Sequence, residues 1–382
     1  MEGHSISPGS QAQQKATDTA VDLSLFESLA PIKSLLAGHK SELAQHCKQS
    51  LVFAGQKLSS VLYADEVFYL LSGDINIDDG QHEELIKGRS SYLPINYLPR
   101  LFSLDKCFAQ TDCSLLVIKR HLLDQFLTWS QVAEYLMLDI SYRPEYEDDQ
   151  VWIATVLKSN LFYKVPPLNI GDIFSSLTKR VVDKGEVILR QGEIGDSCFF
   201  IKEGAASVER LYEGDRQRTH LADIGVGRCF GEDALLNATT RNATVTMTSH
   251  GVLMELRKDD FLKLLKEPSV SSINTAADAP AECLWLDVRT SEEYAAGHME
   301  SAANIPLNLL RLKQRMLDPS MPIVTYCDSG YRSRATAELL NRQGFSASYL
   351  APGLQGLTPD ELLQNWTLKD YVLIDGLPQP GQ

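Results

Sequence analysis

Two short stretches hold the residues best suited to chemistry. In VTYCDSGYRSRA, Val324 to Ala335, Cys327 follows an apolar run, Gly330 and Arg332 come within the next five residues, and a helical pattern then begins. A thiol so placed meets loop N–H groups, a helix N-terminus and a guanidinium. All three favour the thiolate, so the spacing predicts a lowered pKa and a nucleophile. The plainer alternative is a buried cysteine at a strand end. In FGEDALLNATTRNATV, Phe230 to Val245, Glu232 beside Gly231 and Arg241 bracket the apolar run ALL. Glu232 and Arg241 could simply pair and tie the ends of a hairpin. A turn opening at Phe230-Gly231-Glu232 would instead point free N–H groups at an anion, Arg241 would fork onto a phosphate, and Glu232 would accept from sugar hydroxyls. Those three functions together describe a cyclic nucleotide.

The elements that must position these residues follow from the pattern. FAGQKL then VFYLLSGDINI (Val67–Ile77) is echoed by VDKGEVI then CFFIKEGAASV (Cys198–Val208). Each half continues through a strand-like run, SLLVIKR or VLMELRK, into a helix containing DQF or DDF. Short apolar or alternating runs punctuated by glycine read as antiparallel β-structure, with Gly73 and Gly204 at hairpins that need positive φ. After Pro268 the pattern becomes strand–helix–strand–helix: LWLDV, SEEYAAG capped by Ser291, PIVTY, RSRATAELLNRQG. That alternation predicts a parallel sheet covered by helices. The fold class is therefore multidomain: two β-roll (jelly-roll, double-stranded β-helix) domains with flanking helices, then an α/β domain. The boundaries are a tail at 1–24, rolls at 25–140 and 151–267, linkers at 141–150 and 268–280, the α/β domain at 281–357 and a C-terminal tail at 358–382 whose last residues, GLPQPGQ, read as frayed. The helix after the first roll carries Leu123, Phe126, Leu127 and Leu136 near one face, for packing within the chain or in a homodimer.

Composition sets the limits. The chain has 382 residues, 44% apolar and 23% charged, with a formal net charge of −14. Such a surface repels phosphate backbones and anionic membranes, so neither nucleic acid nor membrane is an expected partner. The N-terminus lacks the basic start and apolar core of a signal peptide. Seven scattered cysteines without a C-x-x-C spacing fit a reducing, cytoplasmic setting and give no zinc site.

Residues Trp152 to Glu267 resemble the cyclic nucleotide-binding domain of the catabolite activator and cAMP-dependent kinase regulatory families, through the cassette pattern F-G-E-x-A-L…R-x-A-T-V. The resemblance implies that Gly231, Glu232, Asp233, Ala234, Arg241, Asn242 and Ala243 form the nucleotide site, for cAMP or cGMP as a regulatory ligand. Thr240 stands where many relatives have proline, Asp233 adds an acid beside the phosphate seat, and Asn242 leaves the base choice open. The long lid helix of the transcription-factor relatives is either absent or supplied by another segment, and their winged-helix DNA-binding domain is not expected. The first roll has the frame without F-G-E; Arg100 follows a proline but is out of register, so this roll reads as sterile.

Residues Ala281 to Leu357 resemble a rhodanese domain, through LDVRTSEEYAAGHMESAANIPL and the loop C-D-S-G-Y-R-S. This resemblance implies a sulfurtransferase without a catalytic cofactor or metal. Cys327 would carry a persulfide, and Asp328, Ser329, Gly330, Tyr331 and Ser333 would line its loop. Arg332 would hold the charge of a small sulfur donor before a thiol or cyanide collects the sulfur. Related phosphatases of the fold use a loop one residue longer. Asp287, Arg289 and His298 read as structural. The alternative for the whole chain is a nucleotide-sensing signalling protein in which the rhodanese domain docks a partner or senses redox state; a third reading makes both rolls scaffold.

Overall fold

The computed structural model describes residues 21–63, 65–78, 83–88, 92–95, 104–157 and 165–381. Arg100 and most of the N-terminal tail lie outside these. Two compact units form, 1–29 with 44–120, and 30–43 with 121–382.

The first unit contains two three-stranded antiparallel sheets. One has the order Lys48–Val52, Cys113–Lys119, Glu66–Ser72; the other has Glu83–Lys87, Asp74–Asp78, Cys107–Ala109. Their apolar faces meet in a core of Val52, Leu58, Phe68, Leu70, Ile75, Ile77, Leu115 and Val117. The alternation in DINID sends both isoleucines inward and the acids outward, as a one-sided strand requires. The chain swings between the two sheets at Gly73, with φ of +89°, where an added Cβ would lie 2.4 Å from the Asp112 carbonyl oxygen. Gly204 sits at the matching place in the second unit with φ of +90°.

The second unit contains a jelly roll of two four-stranded sheets. One sheet has the order Thr219–Ile224, Ala206–Arg210, Thr244–Met247, Val187–Leu189; the other has Cys229–Phe230, Ser197–Glu203, Gly251–Arg257, Thr178–Val182. Phe199, Ile201, Phe230, Val245 and Leu253 fill the space between them. Beyond it lies a five-stranded parallel sheet in the order Ser272–Ile273, Ala347–Leu350, Ile323–Tyr326, Leu284–Asp287, Ala303–Asn304.

Two segments depart from expectation. The stretch read as a linker at 268–280 supplies the edge strand Ser272–Ile273. The C-terminal tail carries the helix Pro359–Asn365, a strand Trp366–Thr367 paired with His298–Met299, and a hairpin Tyr371–Ile374/Leu377–Pro380 whose second strand lies in the end expected to be frayed. It is held because Lys369 O meets His298 Nε2 at 2.7 Å and Trp366 packs against Gly297.

The long helix Arg120–Ser141 belongs to this unit from His121 onward. Leu123, Phe126 and Leu127, spaced as one helical face, are buried. Val132 and Tyr135 enter the same core as Leu284, Leu307, Ala335 and Leu339 of the α/β domain. The helix is also pinned by residues 30–43: Ser130 Oγ lies 2.6 Å from His39 Nδ1 and accepts from Leu36 N at 3.2 Å.

Burial pushes the His39 imidazole down to about 4 from its ordinary 6.5. The unfolded chain thus takes up a proton before the folded one does. The stability His39 contributes is complete above about pH 6.5 and is lost as the pH falls toward about 4. His39→Gln is expected to flatten the fall in stability across that window by on the order of 3 kcal/mol at most. Denaturant midpoints at both ends of the window check this; identical slopes in the two proteins would show that His39 is not responsible.

Candidate functional site

The thiol loop begins where the buried strand Ile323–Tyr326 ends and closes at the helix Tyr331–Arg342. Gly330 caps that helix with φ of +93°, and a Cβ there would come within 2.2 Å of the Ala351 carbonyl oxygen. The turn folds the loop back over Cys327. Gly330 N–H and Ser333 N–H donate to Sγ at 3.2 and 3.4 Å, and Ser333 Oγ stands 3.4 Å away. Asp328 is buried beside Gln355, Ser329 is half-buried, and Tyr331 is exposed at the rim.

Arg332 is fully buried, and the two terminal nitrogens of its guanidinium are taken up by two carboxylates. Nη1 and Nη2 donate to the two oxygens of Glu293 at 2.7 and 2.9 Å, and Nη2 also donates to Asp124 Oδ1 at 3.1 Å. Ser329 Oγ donates to the other Asp124 oxygen. Glu293 comes from the first turn of Ser291–Ala295, where it also accepts from Thr290 N–H in a capping box. Thr290, rather than Ser291, is therefore the N-cap. Asp124 comes from the long helix.

The charges in this cluster set the protonation states. Burial opposes ionisation of Glu293, yet the adjacent Arg332 holds its carboxyl below the ordinary range. Asp124 is the surplus carboxylate: burial pushes it up, and Arg332 only partly offsets this. The Cys327 thiol is pushed up by burial and next by Asp124, against the pull of Arg332 and the Ser333 hydrogen bonds. This reverses the expected lowering. The loop donors are present as the sequence implies, but two carboxylates against one guanidinium leave an excess negative charge beside the sulfur. Arg332, expected to hold a donor's charge, has no exposed surface, and both of its terminal nitrogens face Glu293 and Asp124.

The second site forms at one end of the roll. Gly231, with φ of +89°, opens the short helix Glu232–Leu236. Arg241 is buried at 4% exposure; its Nη1 donates to Gly231 O at 2.7 Å, and its Nη2 donates to Ser197 O at 2.6 Å and approaches Asp196 at 3.5 Å. A cavity of about 270 Å³ is lined by Gly231, Glu232, Asp233, Ala234, Arg241, Asn242 and Ala243, and by Leu189, Val208 and Leu221 among apolar residues. The guanidiniums of Arg210 and Arg241 and the carboxylates of Glu232 and Asp233, set among these apolar side chains, suit a ligand with one anionic and one hydroxylated edge.

The structure thus gathers the expected nucleotide residues around one cavity and the expected loop residues around Cys327. Asp287 and Arg289 form a buried ion pair at 2.6 Å, in line with a structural role. Sequence reading missed Asp124, Glu293 and Asp196. Glu293 looked like a helix cap, which it also is. The signal for Asp124 was an acid within the apolar run LLDQFL. Among the described residues, no helix is long and apolar enough to cross a membrane.

Comparison with known proteins finds a family model for each of the two regions that hold these sites. Residues 179–267 match the family model of the cyclic nucleotide-binding domain, and residues 271–360 that of the rhodanese-like domain. The chain is similar to a cyclic nucleotide-gated potassium channel of Rhizobium etli, 37% identical over 101 residues, which are 26% of this chain and 26% of that protein. It is 29% identical to the cyclic AMP receptor protein of Thermus thermophilus over 119 residues, 31% of this chain and 55% of that one. A cAMP-dependent protein kinase regulatory subunit of Blastocladiella emersonii is 31% identical over 127 residues, 32% of this chain and 31% of that protein. Among solved structures, the catabolite activator protein of Thermus thermophilus aligns with a TM-score of 0.26 and 29% identity, covering 28% of this chain and 50% of that chain. The chain thus spans from about a quarter to about half of the length of these curated relatives. It carries a cyclic nucleotide-binding domain and a rhodanese-like domain.

Proposed function

We propose that the protein is a cyclic nucleotide-responsive sulfurtransferase. The observation that carries this reading is the cradle around Cys327, in which two N–H donors lie within 3.4 Å of Sγ and four residues separate Cys327 from Arg332. Such a ring accommodates one added sulfur. The Cys327 thiolate attacks the outer sulfur of thiosulfate. The Cys–S bond forms as the donor's S–S bond breaks, and the electron pair leaves with sulfite. A thiol or cyanide then attacks the terminal sulfur and carries it off, and the thiolate returns; this is ping-pong chemistry. Asp328, Ser329, Gly330, Tyr331 and Ser333 enclose the persulfide.

In the roll, Arg241 takes the cyclic phosphate and Glu232 the ribose, with Gly231, Asp233, Ala234, Asn242 and Ala243 as the remaining wall. Both cAMP and cGMP present these groups, and the names of the matched relatives favour trying cAMP first. The first unit acts as a sterile roll that scaffolds the rest.

The test is the rate of thiosulfate-to-cyanide transfer by the full chain, with and without saturating cAMP. A change of about 5–150-fold is expected, the usual span of coupling between sites. An unchanged rate would remove the regulatory half of the proposal, and absence of thiocyanate in both conditions would remove the catalytic half. Ligand binding is read separately by unfolding. At 100 times its dissociation constant cAMP should add about 2.7 kcal/mol, and Arg241→Ala should abolish that gain. A gain of equal size in the variant would move the phosphate seat elsewhere.

One observation favours the second reading, a nucleotide-sensing signalling protein whose rhodanese domain is a docking or redox module: Cys327 and Arg332 both have no exposed surface. A Cys327→Ser chain that keeps its cellular role would favour that reading.

A further inference from the structure

The rhodanese-like match begins at residue 271, yet the side chain that covers the thiol loop comes from residue 124. Asp124 is 1% exposed and lies one helical position off the apolar face of Leu123, Phe126 and Leu127. A carboxylate is costly to bury without partners, and here both its oxygens are engaged by the loop. One accepts from Ser329 Oγ and the other from Arg332 Nη2 at 3.1 Å. An anionic sulfur donor approaching Cys327 would need the same hydroxyl and the same guanidinium edge.

We propose that Asp124 is a carboxylate gate: it occupies the seat of the anionic donor on the Cys327 loop, and sulfur enters only when the long helix carries it away. This rests on the sulfurtransferase reading for the identity of the donor, though not for the closure itself. With Asp124 seated, Arg332 faces two carboxylates and the thiol has no exposed surface. With Asp124 withdrawn, Arg332 and Glu293 remain as a neutral pair, Ser329 Oγ is released, and the local charge no longer opposes either a thiolate or thiosulfate.

The helix that bears the gate continues into the nucleotide-binding domain. After Ser141 the chain runs through Pro144–Asp149 into the helix Gln150–Leu157. Asp149 pairs with Lys202, and Trp152 Nε1 donates to Ile201 O at 2.9 Å. Both partners sit on the strand Ser197–Glu203, whose Ser197 carbonyl holds Arg241. A ligand that draws on Arg241 therefore acts on the strand to which the segment that follows the gate helix is fastened.

The experiment measures alkylation of Cys327 by iodoacetamide in the full chain, by mass analysis of the peptide that contains it, beside the KM for thiosulfate. Asp124→Asn and Asp124→Ala are each expected to raise alkylation by about tenfold or more, since thiol reactivity follows exposure and thiolate fraction. The KM for thiosulfate should fall in the same variants. Alkylation equal to wild type in a folded variant overturns the gate. Should both variants fail to fold, Ser329→Ala, which removes one anchor of the carboxylate, decides: a rise supports the gate and no rise overturns it. Faster alkylation without thiocyanate from any variant keeps the gate and overturns the sulfurtransferase reading. Thiocyanate production with the same alkylation rate and the same KM in wild type and variants does the reverse. Saturating cAMP is expected to raise wild-type alkylation toward that of Asp124→Asn and to add nothing to the variant. Any other pattern overturns the route through the helix and leaves the gate to the first readout.

Discussion

Arg332→Ala is expected to destabilise the second unit by about 3–5 kcal/mol, the usual cost of removing one partner from a buried ion pair. The size follows from what would be left behind. Glu293 and Asp124 are each 1% exposed, and both depend on the guanidinium for their charge balance. One carboxylate would have to take up a proton or draw in water. Arg332→Lys is expected to recover only part of the loss, because one ammonium cannot meet both oxygens of Glu293 and also reach Asp124. Denaturant midpoints of the three proteins provide the check. A loss below about 1 kcal/mol, the range of exposed pairs, would show that the cluster is already solvated.

Cys327→Ser is expected to lower sulfur transfer by about 10³-fold or more, as loss of a covalent nucleophile does. A serine hydroxyl can accept from Gly330 and Ser333 N–H groups in place of the thiol, so the loop and its fold should persist. Wild type incubated with thiosulfate should gain one sulfur atom by mass and the variant should gain none. Transfer that survives the substitution would point to another thiol, with half-buried Cys229 and Cys283 next to examine.

Which parts of this were readable from the chain depends on the reach of the interactions. Glu232 and Arg241 stand nine residues apart in one hairpin-like segment, and Cys327 to Ser333 form one loop, so residue type and spacing suffice to group them. Asp124 lies about two hundred residues before Arg332, and no local periodicity connects a helix residue to a loop that far along the chain. That distance also explains why the direction of the thiol pKa was misread. The favourable donors are local, while the burial and the opposing carboxylate are supplied by tertiary structure. Glu293 was hidden for a different reason: one side chain serves both a capping box and an ion pair, and the cap alone accounts for its presence. The edge strand Ser272–Ile273 is two residues long, too short to show alternation.

The long helix has a consequence for how this protein can be divided. Val132 and Tyr135 belong to the same core as Leu284 and Leu339, although they lie far outside the stretch that matches the rhodanese-like family. The stretch that matches the family and the core it packs in therefore have different edges. A fragment cut at the family boundary would expose apolar surface that the intact chain covers, and it would present Cys327 with no Asp124 to seat on its loop. Reactivity measured on such a fragment would not be that of the thiol in the intact chain.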